Sequence, residues 1–265
     1  MPTARIQAVL LRIAALGALA LTACATTPSP DAAQAWQGAG QMVVVTSAGW
    51  DATHARLHRF ERARGGAAWI EVGEAAPVVL GRAGSAWGIG LHPAQRGGPQ
   101  KYEGDGRAPA GVFEIGTAFG YADRIESFLP YRGMTASDYC IDVPSSPLYN
   151  RIVSSREVGE DGIAGSTEPM RRDIHADGDT RYRLGFVIEH NAEGRRQAGS
   201  CIFAHLWKTP DTPTAGCTAM AEPVMQQLLR WLDPQHHPVF VLLPEADYRR
   251  LRQAWQLPVL PPDAD

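Results

Sequence analysis

The sequence has little excess charge, and it lacks the patterns that mark several large protein classes. Its 25 Lys and Arg residues against 28 Asp and Glu give a formal net charge of −3, so we expect no nucleic-acid partner. No cysteines stand in a C-x-x-C spacing, which argues against a zinc site. The apolar stretch 13–21 is too short to span a bilayer. The glycine-rich segment 84–116 lacks the Gly-Lys-Ser/Thr ending of a phosphate-binding loop.

The N-terminal residues have the features of an export signal. Two arginines accompany the apolar stretch, and Leu-Thr-Ala then leads to Cys24. This order resembles a bacterial lipoprotein signal, so we expect residues 1–23 to be removed and Cys24 to be lipidated. A plain secretory signal with an incidental cysteine is the alternative. Ala25 after the cysteine favours the outer membrane, which predicts a periplasmic protein anchored through its lipid.

The remaining chain predicts a tether followed by one domain. Residues 24–40 are rich in Pro, Ala, Ser and Gln and indicate a flexible tether. Residues 41–265 contain short apolar runs between turn residues, so the fold is expected to be mainly β. Residues 223–232 repeat apolar side chains at helical spacing behind a proline and predict a helix. The polar segment 117–180 predicts long loops with one short helix.

The cysteines of this domain are odd in number. In an oxidising compartment, two of Cys140, Cys201 and Cys217 should pair where geometry allows, and one should stay free. The surroundings of Cys217 indicate chemistry, which leaves Cys140 and Cys201 as the candidate disulfide. Two buried, unpaired thiols are the alternative for that pair.

The segment around Cys217 has the features of a nucleophile site. A predicted strand ends at His205, a loop rich in Pro and Thr follows, and Gly216-Cys217 stands 12 positions later, before the predicted helix. A nearby histidine and a helix N-terminus can both lower the pKa of a thiol. Backbone N–H groups around Gly216 and Cys217 could stabilise an oxyanion. On residue types alone, a core cysteine beside an edge-strand histidine is the competing interpretation.

Two motifs resemble the L,D-transpeptidase (YkuD-like) catalytic domain family. One is His205 followed by Thr214-x-Gly216-Cys217, and the other is the stretch 104–113, Gly-Asp-Gly-Arg-Ala-Pro-Ala-Gly-Val-Phe. The resemblance covers roughly residues 42–243.

The resemblance implies a fold and an activity. The fold would be a β-sandwich of mixed strands with a few peripheral helices, forming the catalytic domain 41–265. The activity would be L,D-transpeptidation of peptidoglycan stem peptides through a thioester on Cys217, with His205 transferring protons, in cell wall biogenesis and the maintenance of cell shape. No metal or organic cofactor is implied, and we expect a monomer. Residues implied to bind substrate or the oxyanion are Gly216, Thr214, Ala215 and Thr218.

Three positions depart from the family pattern. Ala215 replaces the histidine usual before Gly-Cys, Ala219 replaces an arginine, and the downstream asparagine is replaced near Glu222. The departures at Ala215 and Ala219 leave open an inactive wall-binding lipoprotein. A hydrolytic L,D-carboxypeptidase or endopeptidase is the other alternative, because the same thioester could pass to water.

Several other polar residues are candidates for the wall of a pocket. Arg181, Tyr182 and Arg183 could contact the carboxylates of a wall peptide, but a solvated strand face is the favoured interpretation. His190 at a strand end is interpreted as structural. The sequence identifies no orienting partner for His205.

Overall fold

The computed structural model describes residues 35–63 and 67–261. The predicted signal peptide, Cys24 and most of the predicted tether lie outside these residues. Within the described part of the chain, no helix is long and apolar enough to cross a membrane.

Strands predominate over helices. The strands are β1 (Gln41–Ser47), β2 (His54–Glu61), β3 (Ile70–Glu71), β4 (Ala76–Val79), β5 (Ser85–Trp87), β6 (Ala108–Gly120), β7 (Tyr131–Gly133), β8 (Asp138–Cys140), β9 (Ile152–Ser154), β10 (Glu168–Pro169), β11 (Leu184–Ile188), β12 (Phe203–Leu206), β13 (Thr218–Met220) and β14 (Val239–Pro244). The α-helices are α1 (Ser155–Ile163), α2 (Arg172–His175), α3 (Glu222–Trp231) and α4 (Glu245–Leu251), and short 3₁₀ turns span Arg181–Arg183 and Pro234–His236.

Eight strands close into a mixed barrel. Their order is β1-β14-β6-β11-β12-β13-β4-β2, and β2 pairs with β1 to complete the ring. The β1–β14 and β12–β13 pairs are parallel, and the other six are antiparallel. Strand content of 31% against 16% helix confirms the mainly β prediction. The arrangement as a sandwich of two sheets is not confirmed, because closure of the ring joins the strands into one continuous sheet.

The most apolar strands lie beside each other in this barrel. All seven residues of β1 and all six of β14 are buried, and the two strands run parallel. Because both faces of these two parallel strands are covered, their sequences are continuously apolar and do not alternate between apolar and polar residues. The predicted helix after Cys217 is confirmed as α3, which buries Met225, Leu228 and Leu229 behind a proline in its first turn.

The segment between β7 and β11 contains more regular structure than its polar sequence predicts. It forms a three-stranded antiparallel sheet in the order β10-β8-β9, together with α1 and α2. The prediction of long loops with one short helix was therefore wrong for this segment. We call the sheet β10-β8-β9 the small sheet. A disulfide between Cys140 and Cys201 joins it to the chain just before β12.

The folded domain also begins earlier than its predicted boundary at residue 41. Trp36 is buried, and its indole Nε1 donates a hydrogen bond of 3.0 Å to the carbonyl oxygen of Trp255. The two indoles meet edge to face with their ring centroids 5.6 Å apart. The last residues of the segment 24–40 that the sequence predicts to be a tether, from Trp36 onward, therefore pack against the barrel.

Candidate active site

Cys217 and His205 line one cavity of about 320 Å³. Strands β12 and β13 are parallel neighbours, and His205 stands opposite Ala219. Alternate residues of a strand share a face, so Cys217, two positions before Ala219, projects to the same side of the sheet as His205. The pairing of two strands therefore brings together residues that a loop separates in the sequence.

A tight turn holds Cys217 at the start of β13. The Thr214 hydroxyl donates a 2.6 Å hydrogen bond to the Cys217 carbonyl oxygen and accepts one of 3.1 Å from the Gly216 N–H. Gly216 has φ 155°, a backbone conformation that side chains rarely adopt, and a Cβ there would lie 3.0 Å from the Arg107 carbonyl oxygen. The Thr214-x-Gly216-Cys217 spacing thus corresponds to one hydrogen-bonded turn.

The Cys217 thiol is free and buried. Its Sγ accepts a hydrogen bond of 3.4 Å from the Phe203 N–H, and it donates one of 3.5 Å to the Cys201 carbonyl oxygen. Burial, reinforced by the negative charge of Glu168, raises the pKa of the thiol to about 12. The unliganded site therefore holds a protonated thiol rather than a thiolate.

His205 is also buried and uncharged at neutral pH. Burial lowers its pKa to about 4, and the positive charges of Arg181 and Arg172 act in the same direction. Its Nδ1 lies 2.8 Å from the Leu206 carbonyl oxygen, which can only accept, so Nδ1 carries the proton and Nε2 is left as an acceptor. The orienting partner that the sequence did not identify is a backbone carbonyl.

Tyr182 and Glu168 complete the immediate surroundings of the thiol. The Tyr182 ring packs edge-on against the His205 ring with centroids 5.1 Å apart, and Tyr182 shares a buried cluster with Cys217. Tyr182, Glu168 and Cys217 line the same cavity. Burial raises the pKa of both Tyr182 and Glu168. Glu168 stands in the small sheet, outside any motif, so the sequence carried no local signal for it.

Arginines form a further part of the cavity wall. Arg172 contacts Glu168 at 3.2 Å and Asp179 at 2.8 Å, and Arg181 contacts the same Asp179 carboxylate at 2.6 Å. Burial alone would raise the pKa of Asp179, but these arginine hydrogen bonds bring it below its ordinary value. The prediction of a solvated strand face was wrong for Arg181 and Tyr182, which line the cavity.

The opposite wall comes from the glycine-rich segment. Lys101 and Asp105 form a buried ion pair of 2.5 Å between Nζ and Oδ1. Glu103 accepts hydrogen bonds from the Tyr149 hydroxyl and, at 2.7 Å, from the Ser200 hydroxyl. Charged groups of both signs therefore surround the thiol.

The structure corrects several expectations for the predicted site. A three-residue strand separates Cys217 from α3, which begins at Glu222, so no helix N-terminus faces the thiol. The pKa of the thiol is raised rather than lowered. The Gly216 N–H already has Thr214 Oγ1 as its acceptor, so this N–H is not a vacant oxyanion donor. Thr218 is buried within β13, paired with Ala204, and it does not line the cavity.

The positions that depart from the family pattern have different environments. Ala215 is exposed at the cavity wall. Ala219 is fully buried in β13. Glu222 pairs with Arg183 at 2.5 Å, and neither residue lines the cavity. Only the first of these substitutions therefore changes the cavity surface directly.

His190 is held by the backbone. The Ile89 N–H donates to its Nδ1 at 3.1 Å, and its Nε2 lies 2.9 Å from the Ala198 carbonyl oxygen. Both ring nitrogens are occupied, which agrees with a structural role. Among the described residues, no group of three or more His, Cys, Asp or Glu side chains is arranged to hold a metal ion.

Comparison of the chain with protein-family models, with curated proteins and with solved structures gave no match in any of the three. The similarity to the L,D-transpeptidase family rests on the two motifs quoted from the sequence.

Proposed function

We propose that the protein is a cysteine-dependent L,D-transpeptidase that acts on peptidoglycan stem peptides. The observation that carries this proposal is the free thiol of Cys217 in one cavity with His205, whose tautomer leaves Nε2 available as a base. The motifs 104–113 and 214–217 supply the substrate class through their resemblance to the family. The L,D-transpeptidase-like fold is part of the proposal, as are the monomeric state, the periplasmic location and the membrane anchor at Cys24.

The proposed reaction begins from a neutral thiol and a neutral imidazole. As the Cys217 Sγ attacks the carbonyl carbon between the third residue of a tetrapeptide stem and its terminal D-Ala, the thiol proton passes to His205 Nε2. The tetrahedral intermediate then breaks its C–N bond, and the imidazolium returns the proton to the departing D-Ala amine. The product is a thioester on Cys217.

The second half of the reaction regenerates the thiol. An amine acceptor attacks the thioester carbonyl, and His205 takes a proton from that amine. The C–S bond breaks as the new C–N bond forms, and the sulfur recovers a proton. We assign the oxyanion donor to the Cys217 N–H, because the Gly216 N–H is engaged by Thr214.

The charged walls of the cavity support a peptide substrate. A stem peptide that carries meso-diaminopimelate presents both an ammonium and a carboxylate beside the scissile bond. The carboxylates of Glu103 and Glu168 are proposed to meet the ammonium group, and the guanidinium of Arg181 is proposed to meet the carboxylate.

Incubation of the purified protein with disaccharide-tetrapeptides, followed by mass spectrometry, tests the proposal. Cross-linked dimers with release of D-Ala are expected, and Cys217→Ala and His205→Ala should abolish them. Arg183→Ala, outside the cavity, is the matched control and should retain activity. Tripeptide without dimer would indicate the hydrolytic alternative. No reaction and no acyl-enzyme would instead favour the wall-binding lipoprotein and would refute the proposal.

A further inference from the structure

Three cysteines meet beside the proposed reaction centre. Cys140, Cys201 and Cys217 belong to one buried cluster, in which Cys140 and Cys201 are bonded and Cys217 is free. The disulfide is therefore a neighbour of the nucleophile and not a remote crosslink.

Cys201 contacts the nucleophile through its backbone. Its carbonyl oxygen accepts the hydrogen bond from the Cys217 thiol at 3.5 Å. Cys201 has φ 56°, in the left-handed region that residues other than glycine rarely adopt. Its N–H donates a hydrogen bond of 2.8 Å to Asn150 Oδ1. The position of this carbonyl thus depends on a strained residue that Asn150 and the disulfide hold in place.

Cys140 is paired with a second residue that lines the cavity around the nucleophile. In the small sheet, Cys140 stands directly opposite Glu168, and the Ser166 hydroxyl donates a 2.7 Å hydrogen bond to the Cys140 carbonyl oxygen. Glu168 lines the same cavity as Cys217, and its negative charge adds to the effect of burial in raising the pKa of the thiol. One disulfide therefore ties together the segment whose carbonyl oxygen contacts the thiol and the strand pair that brings Glu168 into the same cavity.

We propose that the Cys140–Cys201 disulfide is a positioning element of the active site, which keeps the Cys201 carbonyl and Glu168 in place against Cys217. The proposal rests on the assignment of Cys217 as the nucleophile. If the proposal holds, the turnover rate depends on the redox state of Cys140 and Cys201, although neither cysteine takes part in the reaction. A dithiol reductant of the cell envelope would convert the disulfide to two thiols, with two electrons and two protons supplied as the dithiol itself becomes a disulfide.

The barrel does not require this crosslink for its closure. Cys140 lies in the small sheet, and Cys201 precedes β12, so neither residue belongs to the eight strands of the ring. Reduction should therefore loosen the small sheet locally while the barrel stays folded.

Loosening the small sheet should also change the thiol itself. Glu168 from the small sheet, Lys101 from the glycine-rich segment and Tyr182 from the 3₁₀ turn act on the pKa of Cys217. The other charged or titratable residues that line the cavity are Arg82, Glu103, Asp142, Arg172, Arg181 and His205. Burial is the largest cause of the raised pKa, so exposure should lower the pKa towards the ordinary value of a cysteine.

The experiment compares the oxidised wild type with Cys140→Ser/Cys201→Ser, in the full chain. Two quantities are measured: kcat and KM with tetrapeptide donors, and the pH profile of iodoacetamide labelling at Cys217, read by peptide mass spectrometry. For the variant we expect kcat to fall at least tenfold and the labelling midpoint to move to lower pH. A merely structural crosslink would leave that midpoint unchanged. Thermal unfolding should remain cooperative.

A second experiment does not depend on the folding of the double variant. In it, the wild type is reduced by dithiothreitol and then reoxidised with oxidised glutathione. Activity should fall on reduction and return on reoxidation. Turnover and a labelling midpoint both unchanged without the disulfide would overturn the inference while leaving the proposed function intact. Loss of the cooperative unfolding transition on reduction would also overturn the inference, because it would show that the disulfide stabilises the whole domain and not the active site alone. A wild type that forms no acyl-enzyme in its oxidised state would refute the proposed function itself.

Discussion

Tyr182 connects the two residues of the proposed reaction. Its ring packs against the His205 ring, and it lines the same cavity as Cys217 and Glu168. The Tyr182 hydroxyl acts to lower the pKa of Cys217 and so favours the thiolate. Burial and the Glu168 charge act in the opposite direction and prevail. The thiol is thus held protonated until a substrate and His205 remove its proton.

Tyr182→Phe should raise the pKa of Cys217 further and slow its reaction with iodoacetamide. A change of about 1 kcal/mol in the balance between thiol and thiolate corresponds to roughly fivefold slower labelling at a given pH. Tyr248→Phe is the matched control, because Tyr248 is a buried tyrosine that bonds to the Pro258 carbonyl outside the cavity. Equal labelling rates for the Tyr182 variant and the wild type from pH 7 to 10 would contradict this role.

At the scale of elements, the turn 214–217 determines where the thiol lies. Thr214 bonds to both Gly216 and Cys217, and its own N–H and carbonyl oxygen bond to Leu80 and Arg82. The turn is therefore fixed from within and from the loop after β4. The exposed Ala215 is its one residue open to exchange without disturbing these bonds.

Gly216→Ala should displace this turn. A Cβ at Gly216 would meet the Arg107 carbonyl oxygen at 3.0 Å, and φ 155° is unfavourable for alanine. We expect a loss of about 1–3 kcal/mol in the free energy of unfolding and a fall in kcat of at least tenfold. Gly49→Ala, where a Cβ would meet nothing within 4 Å, is the control. Denaturant titration and donor turnover are the measurements. An active Gly216 variant of unchanged stability would show that the turn tolerates a side chain.

Local patterns predicted the elements of this site better than their assembly. The His205 strand and α3 follow from apolar runs and helical spacing near Cys217. The ring closes through pairs such as β1 with β14, which are neighbours in the sheet but lie at opposite ends of the domain sequence. The sequence of one strand gives no sign of which distant strand it pairs with. The same reason explains why Glu168 was missed: it reaches the thiol only through the pairing of β10 with β8.

At the scale of the whole molecule, three buried histidines share one property. His92, His190 and His205 lie on different parts of the structure, and burial is the first cause that lowers the pKa of each to about 4. Each is neutral in the folded protein near pH 5, where an unfolded chain would hold it charged. Acidification therefore favours the unfolded state at three separate places.

The free energy of unfolding should fall as the pH is lowered from about 6.5 to about 4. In that window the unfolded state binds more protons at the histidines than the folded state, so stability rises with pH there. A shift from 6.5 to about 4 corresponds to roughly 3 kcal/mol per histidine at the acid end. Glu168 and Glu189, whose pKa values burial raises, bind protons in the folded state and offset part of this loss.

Urea titrations at steps between pH 7 and pH 4 measure this dependence. His92→Gln provides the comparison, because its amide oxygen can accept the Val112 N–H that His92 Nδ1 accepts at 3.0 Å, while the side chain no longer titrates. We expect a smaller slope of stability against pH in the variant, even if its stability at pH 7 is lower, since the slope reports only proton uptake. A wild-type stability that stays constant from pH 6.5 to pH 4.5 would show that the folded and unfolded states take up protons equally, and would contradict the lowered pKa values of these histidines.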